Sequence, residues 1–230
     1  MADPAADTPP MSAARLADEL GDRLPPAASV TPESLALVTA ARDLVEAIVL
    51  TDVDTATRAA ATADLAAVTA QLQARQRADA LYLVRHPDGR VESLVQAGSG
   101  RLNPQAPAVE WVARPTEPPP GHDPVPVEVT ARCTFSAAHA GSPGRVYGGV
   151  LALVLDEVLG VAVRAAGAGG MTVSLTTQLR GATPFGTPVE ITGRLTRSEG
   201  RKHFAAGEVR HDGRVTVEAT AVFVDDRGRT

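Results

Sequence analysis

The chain has 230 residues and a formal net charge of −5, enough for one sizeable domain with appendages or for two small domains. Hydrophobic residues make up 44% of it, an ordinary value for a globular protein, whereas aromatic residues make up only 3%. The core therefore has to be built from aliphatic side chains. A mildly acidic chain without a basic stripe argues against nucleic acid as the main partner.

The cysteine content and the first residues favour a reducing compartment. Cys133 is the only cysteine, so no internal disulfide can form. The first ten residues are acidic and proline-rich and lack the apolar segment of a signal peptide. No stretch approaches the roughly 20 apolar residues that span a bilayer. These features predict a cytoplasmic protein without a membrane span.

The N-terminal part is predicted to be a tail followed by two helices. Residues 1–30 are rich in Ala, Pro and Asp, which is typical of a mostly disordered tail, with a short helix around Ser12 to Leu20. Thr31-Pro32 is a helix-start signature, and a second helix is predicted from about Thr55 to Arg77. Residues 31–77 then form a helical hairpin too small to bury a core alone. We expect this hairpin to pack on the rest of the chain or on a partner subunit.

The segment 78–124 is predicted to be an irregular, proline-rich linker. His86-Pro-Asp-Gly89 has the composition of a turn, and a weak hairpin is expected around it from Leu81 to Val95. From Asn103 to Pro120 the many prolines predict an extended, irregular chain.

From Val125 onward the pattern indicates an α+β domain over residues 125–227. A half-buried strand is predicted at Val127–Phe135 and a long apolar helix from Tyr147 to about Ala166. Four alternating segments with short breaks follow: Met171 to Arg180, Pro188 to Ser198, Arg201 to His211 and Arg214 to Val224. Two of the breaks are tight hairpin signals, so the strands form an antiparallel meander. The order of elements predicts an antiparallel sheet wrapped around a long central helix.

The start of the central helix is a candidate reaction site. Gly148 and Gly149 lower the helix propensity, but glycines at a helix start leave free N–H groups that a ligand can approach closely. Such groups stabilise an oxyanion by about 3–4 kcal/mol per donor in measured cases. Relief of crowding against a neighbouring strand explains the two glycines equally well on the sequence alone.

Asp156 lies two turns further along an otherwise apolar helix. A carboxylate there is costly unless it is used or paired, and a structural ion pair is the alternative explanation. Gly148 and Asp156 are eight residues apart, about 12 Å along a helix axis, so one carbonyl group cannot contact both within one subunit. Two antiparallel copies of the helix would bring Gly148 of one chain beside Asp156 of the other. A joint role for these residues therefore requires a two-fold dimer.

These motifs resemble those of the PaaI/THEM4-like branch of the hotdog-fold acyl-CoA thioesterases. The family signature is His-Gly-Gly followed by an acidic residue on the same helix, and here Tyr147-Gly148-Gly149 and Asp156 stand at the matching spacing. Met171-Thr172-Val-Ser-Leu175 matches the strand after the helix, where THEM4-like members carry a functional Thr. The segment from Gly200 to Val222 resembles their last hairpin. The resemblance covers nearly half of the chain well and implies a hotdog fold with an N-terminal helical extension.

The resemblance implies an acyl-CoA thioesterase that acts at a dimer interface, as a homodimer or a dimer of dimers. Asp156 would be the nucleophile or the base that activates water. The backbone N–H of Gly148, aided by Gly149, would polarise the thioester carbonyl, and Thr172 would position water or substrate. Tyr147 stands where the family has His; it can donate a hydrogen bond but cannot be a cation near neutral pH. An apolar tunnel between sheet and helix would hold the acyl chain.

Five further residues are candidates for binding the substrate. Phosphates of CoA need charge-assisted donors, and one histidine lies on the loop before the central helix; the five are Arg145, Arg180, Arg201, Lys202 and His139. The sequence has no Cys/His cluster with metal spacing, no Walker-type loop and no dinucleotide fingerprint, so no metal or cofactor is expected.

Two other functions stay open on the sequence. The first is a non-catalytic module that binds acyl-CoA or another ligand, with Tyr147 marking lost chemistry. The second is a hotdog hydratase or dehydratase, which would need a His working with an acid; no His stands beside the glycine pair.

Overall fold

The computed structural model describes residues 16, 19–78, 80–118 and 123–225. The named elements, in chain order, are α1 (Pro32–Leu50), α2 (Thr55–Gln73), β1 (Leu83–Arg85), β2 (Val91–Ser93), β3 (Val109–Ala113), β4 (Glu128–Thr134), α3 (Gly148–Ala165), β5 (Met171–Leu179), β6 (Pro188–Glu199), β7 (Lys202–His211) and β8 (Arg214–Val224).

Six strands form one sheet in the order β3-β4-β6-β7-β8-β5, and every neighbouring pair is antiparallel. The β7–β8 turn has positive φ at both Asp212 (48°) and Gly213 (72°), the conformation that a tight hairpin needs and that Asp-Gly favours. This confirms the antiparallel sheet with a long helix that the sequence predicts. Strands β3 and β5 lie at its two edges.

Helix α3 packs directly on the sheet. Val158 and Leu159 are fully buried, and the strand positions that face them are glycines. A Cβ at position 193 would lie 3.0 Å from Val158 Cγ1, and one at position 207 would lie 2.9 Å from Leu159 Cδ2. Because the interior is filled by contact at this level, no acyl chain fits between helix and sheet here. The predicted tunnel between sheet and helix is therefore wrong for this stretch.

The segment expected to be an irregular linker contributes a strand to the sheet. Residues Val109–Ala113 form β3, which pairs with β4, and Val109 and Trp111 pack against the core. The prediction of irregular structure is wrong for these five residues, whose short apolar alternation lies between proline-rich stretches. The expected hairpin around residues 86–89 is present as β1 and β2.

Part of the expected disordered tail is ordered. Residues Gly21–Arg23 and Ala27–Ser29 form 3-10 turns, and the Arg85 N–H donates to the Pro25 carbonyl over 2.9 Å. The short helix expected around Ser12 to Leu20 falls largely outside the described residues.

Both N-terminal helices form, but they do not make a compact hairpin. Helix α1 is anchored near the sheet because the Glu46 carboxylate accepts from the Ala137 N–H (2.9 Å) and Arg42 donates to the Asn103 carbonyl (3.1 Å). Helix α2 starts at the N-cap Asp54, ends at Gln73 rather than near residue 77, and buries none of its residues. The two helices are not packed side by side.

Candidate functional site

The start of α3 is fixed by backbone hydrogen bonds from two neighbouring loops. The N-cap residue Tyr147 donates its N–H to the His139 carbonyl (2.9 Å), and Val146 donates to the Thr183 carbonyl (2.8 Å). Within the described part of the chain, the N–H groups of Gly148 and Gly149 donate to no backbone acceptor. This is the usual condition of a first helical turn, and it leaves two donors for a ligand.

Close neighbours explain part of the need for glycine. A Cβ at position 149 would lie 2.6 Å from Cε1 of the Tyr147 ring, and a Cβ at position 148 would lie 3.1 Å from Leu179 Cδ1. Crowding is thus severe at Gly149 and moderate at Gly148, where the neighbour is the end of a flexible side chain. Relief of crowding and access for a ligand are therefore compatible reasons for the two glycines at this helix start.

A pocket of about 260 Å³ opens beside the Gly148 end of α3. It brings one glycine of the pair together with two of the arginines expected to bind phosphate. Its lining residues are Arg145, Val146, Gly148, Leu151, Leu179, Arg180, Gly181, Ala182 and Thr183.

Asp156 is half-buried on α3 and carries a carboxylate oxygen that is not satisfied. Its Oδ1 is buried and has no hydrogen-bond partner among the described residues. Burial raises the pKa of Asp156 above its usual range, the hydrogen bond with the Thr172 side chain lowers it, and the nearby charge of Glu157 raises it. The result is a carboxylate with a free acceptor and increased basicity, which suits a proton acceptor.

The neighbouring acid points elsewhere and is paired. Glu157 accepts from the Gln96 amide (3.1 Å) and lies 3.8 Å from Arg164. A Cβ at Gly98 would lie 2.8 Å from Glu157 Cβ, which places this side chain against the loop after β2. Of the two acids on α3, Asp156 faces β5 and Glu157 has the structural ion pair.

Strand β5 runs along α3 and connects the two ends of the site. Its last residue, Leu179, lies against Gly148, and Thr172 near its start lies against Asp156. The glycine donors and the carboxylate are therefore at opposite ends of one edge strand, about 12 Å apart along the helix. Within a single subunit, one thioester carbonyl does not reach both.

The other expected binding residues fall into two groups. Arg145 is exposed and lines the pocket, and Arg180 lines it while paired with Glu218 (2.8 Å). Arg201 and Lys202 lie at the far end of the sheet, since Lys202 is opposite Val224. The pocket thus holds two of these four cations and not the other two.

Arg201 and His139 make contacts inside the fold. Arg201 donates twice to the Asp225 carbonyl (2.6 and 2.9 Å). His139 accepts at Nδ1 from the Ser136 N–H (3.1 Å), and burial lowers its pKa. Its ring packs edge-on against Phe135. These contacts give His139 a structural role in the loop that supports Tyr147.

Sequence reasoning missed Leu179. This side chain is 61% exposed and forms the wall of the pocket over Gly148. The available signal was its place as the last apolar residue of a predicted strand, directly before Arg180. That signal is not sufficient to predict a place in the pocket, because the sequence does not show that β5 ends beside the start of α3.

The described ranges lack a metal cluster and a membrane-spanning helix. Residues 16, 19–78, 80–118 and 123–225 include no group of three His, Cys, Asp or Glu side chains able to hold a metal ion. Over the same ranges, no helix has both the length and the apolar character needed to cross a membrane.

With this geometry in place, comparison with known proteins identifies the family. The family model described as "Thioesterase superfamily" matches residues 143–218, which include Gly148, Asp156 and Thr172. A crystal structure of a thioesterase superfamily protein is 31% identical, with a TM-score of 0.71 over 87% of this chain and 93% of the other. The chain therefore belongs to the thioesterase superfamily and has its hotdog fold.

A curated relative carries the name of an activity. Acyl-coenzyme A thioesterase THEM4 of Xenopus laevis is 34% identical over 86 residues, which is 36% of this chain. The match spans only 39% of the length of that relative.

Proposed function

We propose that the protein hydrolyses an acyl-CoA thioester to a free acid and CoA, with Asp156 as the proton acceptor. The observation that carries the proposal is the half-buried Asp156 carboxylate, which has one unsatisfied oxygen and a raised pKa. The family membership and the name of the Xenopus relative support the thioester as the bond that reacts.

The proposed reaction needs only groups of this chain and water. Asp156 takes a proton from a water molecule whose oxygen attacks the thioester carbonyl carbon. The oxyanion that forms is stabilised by the Gly148 N–H, with Gly149 beside it. The C–S bond then breaks, and the CoA thiolate leaves and takes up a proton. Thr172, which lowers the pKa of Asp156, keeps part of the carboxylate ionised for this step.

A covalent route uses the same residues. Asp156 itself attacks the carbonyl carbon, CoA leaves, and water hydrolyses the resulting acyl-aspartate anhydride. In a single turnover in ¹⁸O-labelled water, label found in Asp156 would establish the covalent route. Direct attack places the label only in the product acid, whereas water attack on the Asp156 carbonyl carbon of the anhydride leaves the label in the protein.

The proposed active unit is a two-fold dimer joined through β5. This strand is nine residues long, lies at a sheet edge, and exposes Val173 by 60% and Leu179 by 61%. An open antiparallel edge of this kind is a template for pairing with another chain. Antiparallel pairing centred between Leu175 and Thr176 sets Thr172 opposite Leu179 of the partner subunit. Asp156 then lies at the same end of the interface as the partner's Gly148.

The pocket beside Gly148 is proposed to receive the CoA moiety, with its phosphates held by Arg145 and Arg180. Arg145 is the better candidate, because the Arg180 guanidinium is already paired with Glu218. The acyl group would lie outside the filled sheet–helix interior, along the face that α3 and β5 share. The proposal includes no resident metal or cofactor.

The test is release of free thiol from a panel of acyl-CoA esters, short to long and including an aryl-acyl ester. Hydrolysis of at least one ester at a rate of roughly 1 s⁻¹ or more is expected, within the ordinary range for enzymes. The pattern across the panel gives the acyl preference. Asp156→Asn provides the control that ties turnover to this site.

A non-catalytic binding module is the alternative, and the exposed Tyr147 is the observation that favours it. Tyr147 is 62% exposed and its side chain makes no capping hydrogen bond. Stoichiometric binding of intact acyl-CoA without thiol release would select this function. Tyr147→His would then show whether an imidazole at the helix start introduces turnover.

Gly148→Pro should lower kcat about 10²–10³-fold, the usual effect of losing one oxyanion donor. Proline is well tolerated at a first helical position, and it removes only the N–H that is free there. The preceding residue, Tyr147, already has the extended conformation that proline requires (φ −64°, ψ 132°). Gly148→Ala is the matched control, since it adds the same Cβ beside Leu179 and keeps the N–H. Equal loss in both variants would mean that crowding, not the donor, is responsible.

Thr172→Val should move the acid limb of the pH–rate profile to higher pH. The Thr172 hydrogen bond lowers the pKa of Asp156, so its loss raises that pKa and more protein is protonated at a given pH. Thr172→Ser keeps the hydroxyl and should keep the limb in place. The measurement is kcat/KM against pH, and a limb unmoved in Thr172→Val would show that Asp156 does not control it.

A further inference from the structure

Helix α2 has the surface of a buried helix, but nothing in the described part of the subunit covers it. It is 19 residues long and buries none of them. Arg58 and Asp64 are its only charged residues, and its largest apolar side chains, Leu65, Val68 and Leu72, lie on one face. Leu72 is 52% exposed and Val68 is 46% exposed. An isolated helix of this length is marginal in water, so a stable α2 needs another surface to cover this face.

The end of α1 extends the same uncovered surface. From Leu44 to Leu50 five large aliphatic side chains are exposed: Leu44, Val45, Ile48, Val49 and Leu50. Scattered exposed aliphatic residues are normal, but a contiguous group of this size marks an interaction surface. Because α1 and α2 are not packed side by side, neither helix covers the other.

The charges at the two ends of α2 identify what covers it. Asp52 and Asp54 stand before its start, Arg75 and Arg77 stand two and four residues after its last residue, and all four side chains are exposed. Asp54 also accepts from the Thr57 N–H, Asp52 lies 4.0 Å from Arg58, and Arg77 lies over the Tyr82 ring, and these contacts keep the charges at the two ends of the helix. When two copies of α2 pack antiparallel, the register that sets Asp54 opposite Arg75 of the partner subunit also brings Asp52, in the chain before the helix, near the partner's Arg77. Parallel packing would instead bring like charges together.

The same register places the apolar face at the contact. Its two-fold axis passes between Asp64 and Leu65, so Leu65 lies one residue from the position opposite its own copy, and Val68 lies opposite Ala61 of the partner subunit. A surface that matches itself under a two-fold rotation is the requirement for a contact between identical subunits. We infer that α2 packs antiparallel against α2 of a second copy of this chain, a contact separate from the β5 edge.

Cysteine cross-linking tests the pairing without interference from the native thiol. Cys133 is buried, and burial raises its pKa to about 12, so it is inert under mild oxidation. In Leu65→Cys the two introduced thiols lie near the axis and should form an intersubunit disulfide. Ala70→Cys is the matched control, since it lies about 140° round the helix from position 65. No cross-link in Leu65→Cys, or equal cross-links in both variants, would overturn the inference.

Charge exchange tests the antiparallel register. In the Leu65→Cys background, Asp52→Arg should lower the cross-linking yield several-fold, because it lies near the partner's Arg77. Adding Arg77→Asp should restore the yield. A double variant as weak as Asp52→Arg alone would rule out this register.

The remaining outcomes distinguish pairing of α2 from binding of α2 to a lipid surface, and they distinguish both from the thioesterase activity. Flotation of the chain with anionic vesicles that Val68→Glu abolishes, without any Leu65→Cys cross-link, would assign the face to a lipid surface and overturn the pairing. Helix α2 contributes no residue to the candidate site, so thiol release from acyl-CoA reports on the proposed function independently of the cross-link.

Discussion

Asp156→Asn should lower kcat/KM for every hydrolysed acyl-CoA by about 10³-fold, since a positioned general base contributes roughly 10²–10⁴-fold. The amide keeps the size of the side chain and can still contact Thr172, but it cannot accept a proton from water. Stopped-flow or steady-state thiol release measures the loss. Thioester turnover unchanged by this substitution would exclude the proposed mechanism.

Glu157→Gln is the matched control for that loss. Glu157 is the adjacent acid on the same helix, but it contacts Gln96 and Arg164 on another face. At pH values well above the pKa of Asp156, this variant should keep the parental rate. At lower pH its acid limb should move down, because removal of the Glu157 charge removes one of the causes that raise the pKa of Asp156.

Asp156→Asn should also stabilise the fold at neutral pH. The pKa of Asp156 is raised in the folded protein, so the folded state holds a proton that the unfolded state has already released. The cost of ionising Asp156 is absent below the ordinary aspartate pKa of about 4 and develops as the pH rises through the raised value. Thermal unfolding should therefore give a higher Tm for Asp156→Asn at pH 7 and no difference near pH 3.

The last three strands of the sheet were predictable because each alternates apolar and polar residues and lies next to a strong turn signal. Pro188–Glu199, Lys202–His211 and Arg214–Val224 agree with the predicted segments to within one residue. Gly200 supplies the positive φ value in the first hairpin, and Asp212 and Gly213 supply those in the second. Local chemistry decides these elements, so the sequence is sufficient for them.

Features that depend on contacts distant in sequence were not predictable in the same way. Strand β3 is only five residues long and becomes a strand by pairing with β4. The filled interior at Gly193 and Gly207 depends on how closely α3 approaches the sheet. Whether α1 covers the apolar face of α2 depends on where α1 is anchored, and the sequence does not show this.

The candidate site was predictable from the sequence only in part. The spacing from Gly148 to Asp156 already indicates that one subunit cannot complete the site. The structure adds β5, whose two ends contact these two residues through Leu179 and Thr172. A strand that touches both halves and keeps a free edge supplies a physical means of bringing the halves of two subunits together.

Mixing two inactive variants should restore activity if the site is shared. In a dimer of Asp156→Asn and Gly148→Pro subunits, one site combines both substitutions, and the other combines an intact Asp156 with an intact Gly148 of the partner subunit. Random mixing makes half of the dimers hybrid, so the recovered activity should be about one quarter of the parental value. Subunits are dissociated, mixed in equal amounts and reassociated before thiol release is measured.

The outcome decides the location of the site. If Gly148 and Asp156 acted within one subunit, every subunit in the mixture would carry a defective site, and activity would stay at the level of the separate variants. Activity above the level of the two separate variants therefore requires Asp156 of one subunit to act with Gly148 of the other. The restored activity should show the parental acid limb, because the complete site of each hybrid dimer contains no substitution.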